Sequence, residues 1–183
     1  MIRVRNVLPV LLGACALGAM MMTTPDFDSV FQPLRTTAQS GENAQGRLLS
    51  ARFTDWQTTD QLSFNRYGTP VTRDTQGVFL IVDFDISNVR ESVRLTATWQ
   101  GRSGRQYVQS VRTEEAPGTL GVRQFHPGLE DQGRAVFELP RDEIEGGKLL
   151  LARRGPNILD SELALTPTVG APMPHTALLS LTP

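Results

Sequence analysis

The stretch GVFLIVDFDISN places Val78, Leu80, Val82, Phe84 and Ile86 on one face of an extended chain and Phe79, Ile81, Asp83, Asp85 and Ser87 on the other. A strand with one apolar face has to bury it against a second layer, so this alternation restricts the fold more than any other feature. Asp83 and Asp85 then read as hydrated carboxylates of a solvent-facing side that needs no ligand. The same period recurs. In GRLLSARF, Leu49, Ala51 and Phe53 alternate with Ser50 and Arg52, and in VRLTATWQ, Val93, Leu95, Ala97 and Trp99 alternate with Arg94, Thr96 and Thr98. Gly101 to Gly104 predict a hairpin turn that returns as RQYVQSVR. QLSFNRY over 61–67 reads as a weaker strand or ordered loop, while GRAVFELP, GKLLLARR and SELALTP add further strands. About seven or eight short strands, with no helical run between them, predict an all-β, antiparallel β-sandwich over 46–166.

The first 23 residues differ from all of this. Arg3 and Arg5 precede an uncharged apolar stretch, and the next Lys or Arg is Arg35. Val7, Leu8, Val10, Leu11, Leu12, Leu17, Met20, Met21 and Met22 are its anchoring side chains. The charge bias predicts a single-pass anchor in a bacterial inner membrane, with a cytoplasmic N-terminus and the following domain in the periplasm or outside. From Val7 to Met22 a helix rises roughly 24 Å against a hydrocarbon core of ~30 Å, so an anchor of this length is short. Two other fates stand beside retention. Small residues at 14–16 and 17–19 suit signal-peptide cleavage. Leu12-Gly13-Ala14-Cys15 is spelled like a lipobox, which would make Cys15 a lipidation site.

Residues 24–45 are polar, carry Pro25 and Pro33, and read as a linker. Within them Phe27, Val30, Phe31 and Leu34 fall at helical spacing and mark a patch for contact with a partner. Residues 167–183 hold four prolines and read as a Pro-rich tail with an apolar ALLSL in it, either a disordered end or a strand or peptide that docks on a partner.

Formal net charge is −1, Lys148 is the only lysine, and the arginines are scattered, which argues against a nucleic-acid partner. Cys15 stands alone, so no internal disulfide or cysteine zinc cluster can form. Only His126 and His175 are available as catalytic bases of that type, and neither lies in a nucleophile-elbow pattern. No phosphate-binding glycine motif occurs, and Trp56, Trp99 and Tyr107 form no evident sugar platform. Glu114 and Glu115 fall in a long connection where solvation accounts for them. Calcium would need Asp83 with Asp85, or Glu130 with Asp131, yet carboxylates at i and i+2 on a strand stand about 7 Å apart. The expectation is a non-enzymatic chain without cofactor or metal.

Three segments carry a family resemblance: GVFLIVDFDISN with Asn88, then FHPGLEDQGRAVFELP, then GGKLLLARR running into DSELAL. Pro127-Gly128-Leu129, Phe137-Glu138-Leu139-Pro140 and Leu149 to Leu151 are the matching positions. Over 46–166 the chain resembles the immunoglobulin-like domain of small exported bacterial proteins and lipoproteins of unassigned function, and is similar to the mycobacterial secreted immunogenic protein family. The resemblance implies an immunoglobulin-like β-sandwich, an extracytoplasmic setting and a binding role, and brings no catalytic residues. It departs from the lipoproteins in the position of Cys15 and in lacking a Ser/Gly-rich spacer. The expected function is a membrane-tethered interaction module, an accessory or assembly subunit of a membrane protein complex. The alternative is a secreted or lipidated module that binds a small ligand, glycan or calcium through loops 101–105 and 113–132.

Overall fold

The computed structural model describes residues 7–24, 33–121, 123–155, 160–168, 170 and 173–181, and the chain divides into a unit over 1–32 and a unit over 33–183. In the first, α1 (Val7–Thr23) contains no charged residue. Pro9 is tolerated because the first-turn N–H groups have no acceptor within a helix. The last turn is closed by threonine: Thr23 Oγ1 donates to Ala19 O at 2.8 Å and Thr24 Oγ1 to Met20 O at 2.6 Å. No helix among the described residues is long and apolar enough to cross a membrane.

The second unit is a β-sandwich of ten strands among the described residues: β1 (Leu34–Gln39), β2 (Asn43–Gln45), β3 (Ser50–Arg66), β4 (Thr69–Ser87), β5 (Leu95–Gln100), β6 (Gln106–Val108), β7 (Asp131–Leu139), β8 (Lys148–Arg153), β9 (Ser161–Thr166) and β10 (His175–Leu181). One sheet runs β1-β9-β8-β5-β6, and the other β10-β3-β4-β7 with β2 beside β3. The alternation at 78–86 does what period two predicts. Val78, Leu80, Val82, Phe84 and Ile86 are buried between the sheets with Trp99, Phe137, Leu149 and Leu151.

Several expectations are corrected. Of the two readings of 61–67 the strand holds, not as a separate weak element but as the end of the long β3, which runs to Arg66 and turns through Tyr67 and Gly68 into β4. Both turn residues have positive φ, 49° and 85°, the backbone of a two-residue turn whose twist matches paired strands. Phe79 and Ile81, expected on a wet face, are 0% exposed. They form a second apolar cluster with Leu62, Phe64, Ala116, Val136 and Leu181. The cover is the connection before β7, whose backbone bonds β7's outer edge: Ser110 N to Val136 O (2.9 Å), Leu120 N to Arg134 O (3.2 Å) and Arg134 N to Gly118 O (3.1 Å). Such pairing also shields that edge from other strands.

The stretch expected as a linker contributes β1 and β2. Leu34 N bonds Asp160 O at 2.8 Å and β1 then runs parallel to β9. The tail likewise returns as β10, parallel to β3 from His175 opposite Thr58 to Leu181 opposite Phe64. Seven residues suffice for an edge strand despite the prolines, because those among the described residues precede it. Two parallel edge pairs thus modify the antiparallel arrangement expected, and the strand number exceeds the seven or eight expected.

Candidate binding surfaces

On α1, Leu11, Leu12, Leu17, Met20, Met21 and Met22 are between 56% and 90% exposed. Neighbours in sequence lie about 100° apart around a helix, so exposure at 11–12 and 20–22 leaves apolar surface on several sides. Val7, Leu8 and Val10 lie in the same helix, and Cys15 is exposed on it. Of the expected contact patch, Leu34 opens β1 and is 66% exposed, while Phe27, Val30 and Phe31 lie outside the described residues.

Asp83 and Asp85 are not bare carboxylates. The register of β3, β4 and β7 puts Asp55, Asp83 and Arg134 in one row and Arg52, Asp85 and Gln132 in the next. Arg134 forks onto Asp83 at 2.6 and 3.0 Å. Its guanidinium is held more firmly protonated by that hydrogen bond, against partial burial. Arg52 donates to Asp85 at 2.6 Å and Gln132 reaches the other oxygen at 3.2 Å. Arg123 pairs with Asp131 nearby. Asp55, Asp83, Arg123, Asp131, Gln132 and Arg134 line an open polar cleft of about 740 Å³. Of the carboxylates considered for calcium, Asp83, Asp85 and Asp131 are paired with arginine, and no cluster of three or more His, Cys, Asp or Glu among the described residues could hold a metal ion.

The two histidines have different partners. His126 Nδ1 lies 3.1 Å from Ser92 Oγ on an exposed surface. His175 opens β10, with Nδ1 3.1 Å from Thr58 Oγ1 and Nε2 3.3 Å from an Asp60 oxygen. Loop 101–105 is tied down by a residue the sequence did not single out. Glu143 accepts from Ser103 Oγ at 2.6 Å and Ser103 N at 3.0 Å, which holds its carboxyl below the usual range. The Glu143 carbonyl also accepts from Trp99 Nε1 at 3.1 Å. Nothing local in the sequence joins positions 40 residues apart. Part of 113–132 lies over the second sheet, and Pro117, Gly118, Arg123, Glu130, Asp131 and Gln132 border the open polar cleft.

No protein-family model matches the chain, and no curated protein matches it. Among solved structures it is similar to an uncharacterized β-sandwich protein from Clostridium difficile 630, at 9% identity and TM-score 0.45, over 77% of this chain and 99% of that one. It is similar also to the yjhA protein from Bacillus subtilis, at 13% identity and TM-score 0.46, over 69% and 98%. A conserved hypothetical protein from Bacillus anthracis aligns at 11% identity and TM-score 0.42, over 63% and 88%.

Within the cleft Arg134 pairs with Asp83 and Arg123 with Asp131. His126 has the exposed Ser92 hydroxyl beside it, whereas His175 lies between the buried Thr58 hydroxyl and the Asp60 carboxylate.

Proposed function

We propose that this protein is a non-catalytic interaction module, tethered to a membrane by α1 and acting outside the cytoplasm as an accessory or assembly subunit of a membrane protein complex. One observation carries the proposal: a charge-free helix with large apolar side chains exposed along it. A helix apolar all round belongs in the interior of an assembly or in lipid. At about 1.5 Å per residue its 17 residues rise roughly 26 Å. The shortfall from a ~30 Å core is a mismatch that local bilayer thinning accommodates at modest cost.

The immunoglobulin-like character belongs to the same proposal. Its support is strand order: β3-β4-β7 follows strands A-B-E of that fold, and β5-β8-β9 follows C-F-G. Trp99, wholly buried on β5, occupies the place of the buried tryptophan of strand C.

The test is made on the full chain in its native membrane. Carbonate washing should leave wild type in the pellet and release a Leu12→Arg, Leu17→Arg variant. Purification from gently solubilised membranes should then recover a stoichiometric membrane protein together with an intact N-terminus. Release of wild type by carbonate, or a chain recovered alone with its mature end at Cys15 or beyond, would replace this reading with the secreted or lipidated binding module.

A further inference from the structure

Trp56, Tyr107 and Met173 pack against the main core while staying partly open to solvent. Two of the three, Trp56 and Met173, line one cavity of about 300 Å³, at the lower end of the size range of small-molecule sites. Its floor is preorganised. The Trp56 ring stands 6.2 Å from Trp99 and edge-on to Phe53 at 6.1 Å. Gly146 and Gly147 form an adjoining wall that carries no side chain. Gly147 is pressed so closely on Trp99 that an added Cβ would lie 2.6 Å from the ring, and that ring is fixed through Nε1 to the Glu143 carbonyl. The lining is mainly apolar, with Thr166 and Glu145 among its polar members.

We infer that this cavity binds a small planar aromatic molecule bearing one hydrogen-bonding group. A flat indole beside a bare backbone wall selects a flat ligand that stacks in an offset manner. The Met173 thioether makes favourable contact with a ring edge. The inference is independent of the membrane role, because nothing in it involves α1 or the charged cleft.

The probe is 4-bromophenol, whose bromine quenches an indole it touches. Trp56 and Trp99 are the only tryptophans, and Trp99 is wholly buried, so quenching reports Trp56. The full chain in mild detergent should show saturable quenching, with binding about ten-fold weaker or lost in Thr166→Phe, which fills the cavity from the end of β9. Thr166→Leu, a smaller block, is titrated beside it, and urea midpoints establish that each variant is folded. Quenching linear in probe concentration in wild type, or equal saturation in wild type and a folded blocked variant, would overturn the inference. Either result leaves the carbonate and purification tests of the membrane role unaffected.

Discussion

Gly147→Ala tests the packing beneath the cavity most directly. The new methyl would stand 2.6 Å from Cε2 and Nε1 of Trp99 and 2.7 Å from Cζ2, where ordinary contact begins at 3.4 Å. Ring or turn must therefore give way by about 3.4 − 2.6 = 0.8 Å in an interior that packs like a crystal. The ring has little room, being wholly buried, 6.3 Å from Phe137 and bonded to the Glu143 carbonyl at 3.1 Å. Overpacking of this kind costs about 1–3 kcal/mol. Weakening the indole hydrogen bond adds up to about 1 kcal/mol. Gly147 is outside the left-handed region, so alanine returns about 0.4–1 kcal/mol by restricting the unfolded chain. The net is about 1–3 kcal/mol, and 2 kcal/mol corresponds to a Tm lower by about 4–8 °C. Urea unfolding of the full chain, followed by circular dichroism, reads it as a lower midpoint at constant slope. The same substitution in a Trp99→Phe background should cost less than half as much, since the smaller ring lacks the pyrrole nitrogen the methyl strikes. An unchanged wild-type midpoint, or an equal cost in both backgrounds, would refute the argument.

Leu181 is buried and Leu178 is 51% exposed, so Leu181→Ala should lower stability by about 2 kcal/mol or more and Leu178→Ala by less than about 0.5 kcal/mol. Equal effects in urea titrations would mean that β10 does not seal the second cluster. A double-mutant cycle on Asp83→Asn and Arg134→Gln should give a coupling of about 1 kcal/mol for this forked, partly buried pair, and no coupling would reduce the pair to a surface contact. Glu143 and Asp160 both have carboxyls held below their usual range, by Ser103 and by Arg47 respectively. Depressed folded values mean that their stabilisation is complete above the unfolded pKa of about 4 and fades as pH falls through the folded values. The urea midpoint should accordingly drop on acidification below about pH 4, and less steeply in Ser103→Ala, whose Glu143 has lost its donor; parallel pH profiles would contradict this.

The limits of the sequence are specific. Period two assigned Val78, Leu80, Val82, Phe84 and Ile86 to one buried face because that assignment is local to the strand. It could not assign Phe79 and Ile81, because whether the opposite face is wet depends on a connection more than 30 residues away that folds across it. β1 was illegible, and β10 legible only as an apolar ALLSL that docks on some partner, for a related reason. A parallel edge strand is fixed by hydrogen bonds to a distant strand rather than by its own apolar pattern, and LRTTAQ has hardly any such pattern. Asp83 and Asp85 were placed on the correct side, but their arginine partners come from β3 and β7, and only register reveals them. Glu143 gave no signal, since it acts on Trp99 and Ser103 from 40 or more residues away.

Where a bound group would gain most follows from which groups the fold leaves unsatisfied. In the sandwich, Asp83, Asp85, Asp131, Glu143 and Asp160 all accept hydrogen bonds from partners in the same chain. A ligand competing for any of them must break an existing bond, so its net gain is small. The apolar groups left incompletely covered are different, because covering them breaks nothing. They occur along α1, at scattered exposed side chains such as Tyr67, Val108, Val111 and Leu129, and at Trp56 and Met173, which share one cavity. The helix is large enough to engage lipid or a protein, whereas the cavity of about 300 Å³ admits a small molecule. Substituting the cleft aspartates should therefore alter stability with little effect on either kind of binding, while changes on α1 should affect membrane retention alone and changes at Thr166 should affect 4-bromophenol alone. A Thr166→Phe chain that stayed folded but left the membrane would break this separation and require the two apolar sites to act together.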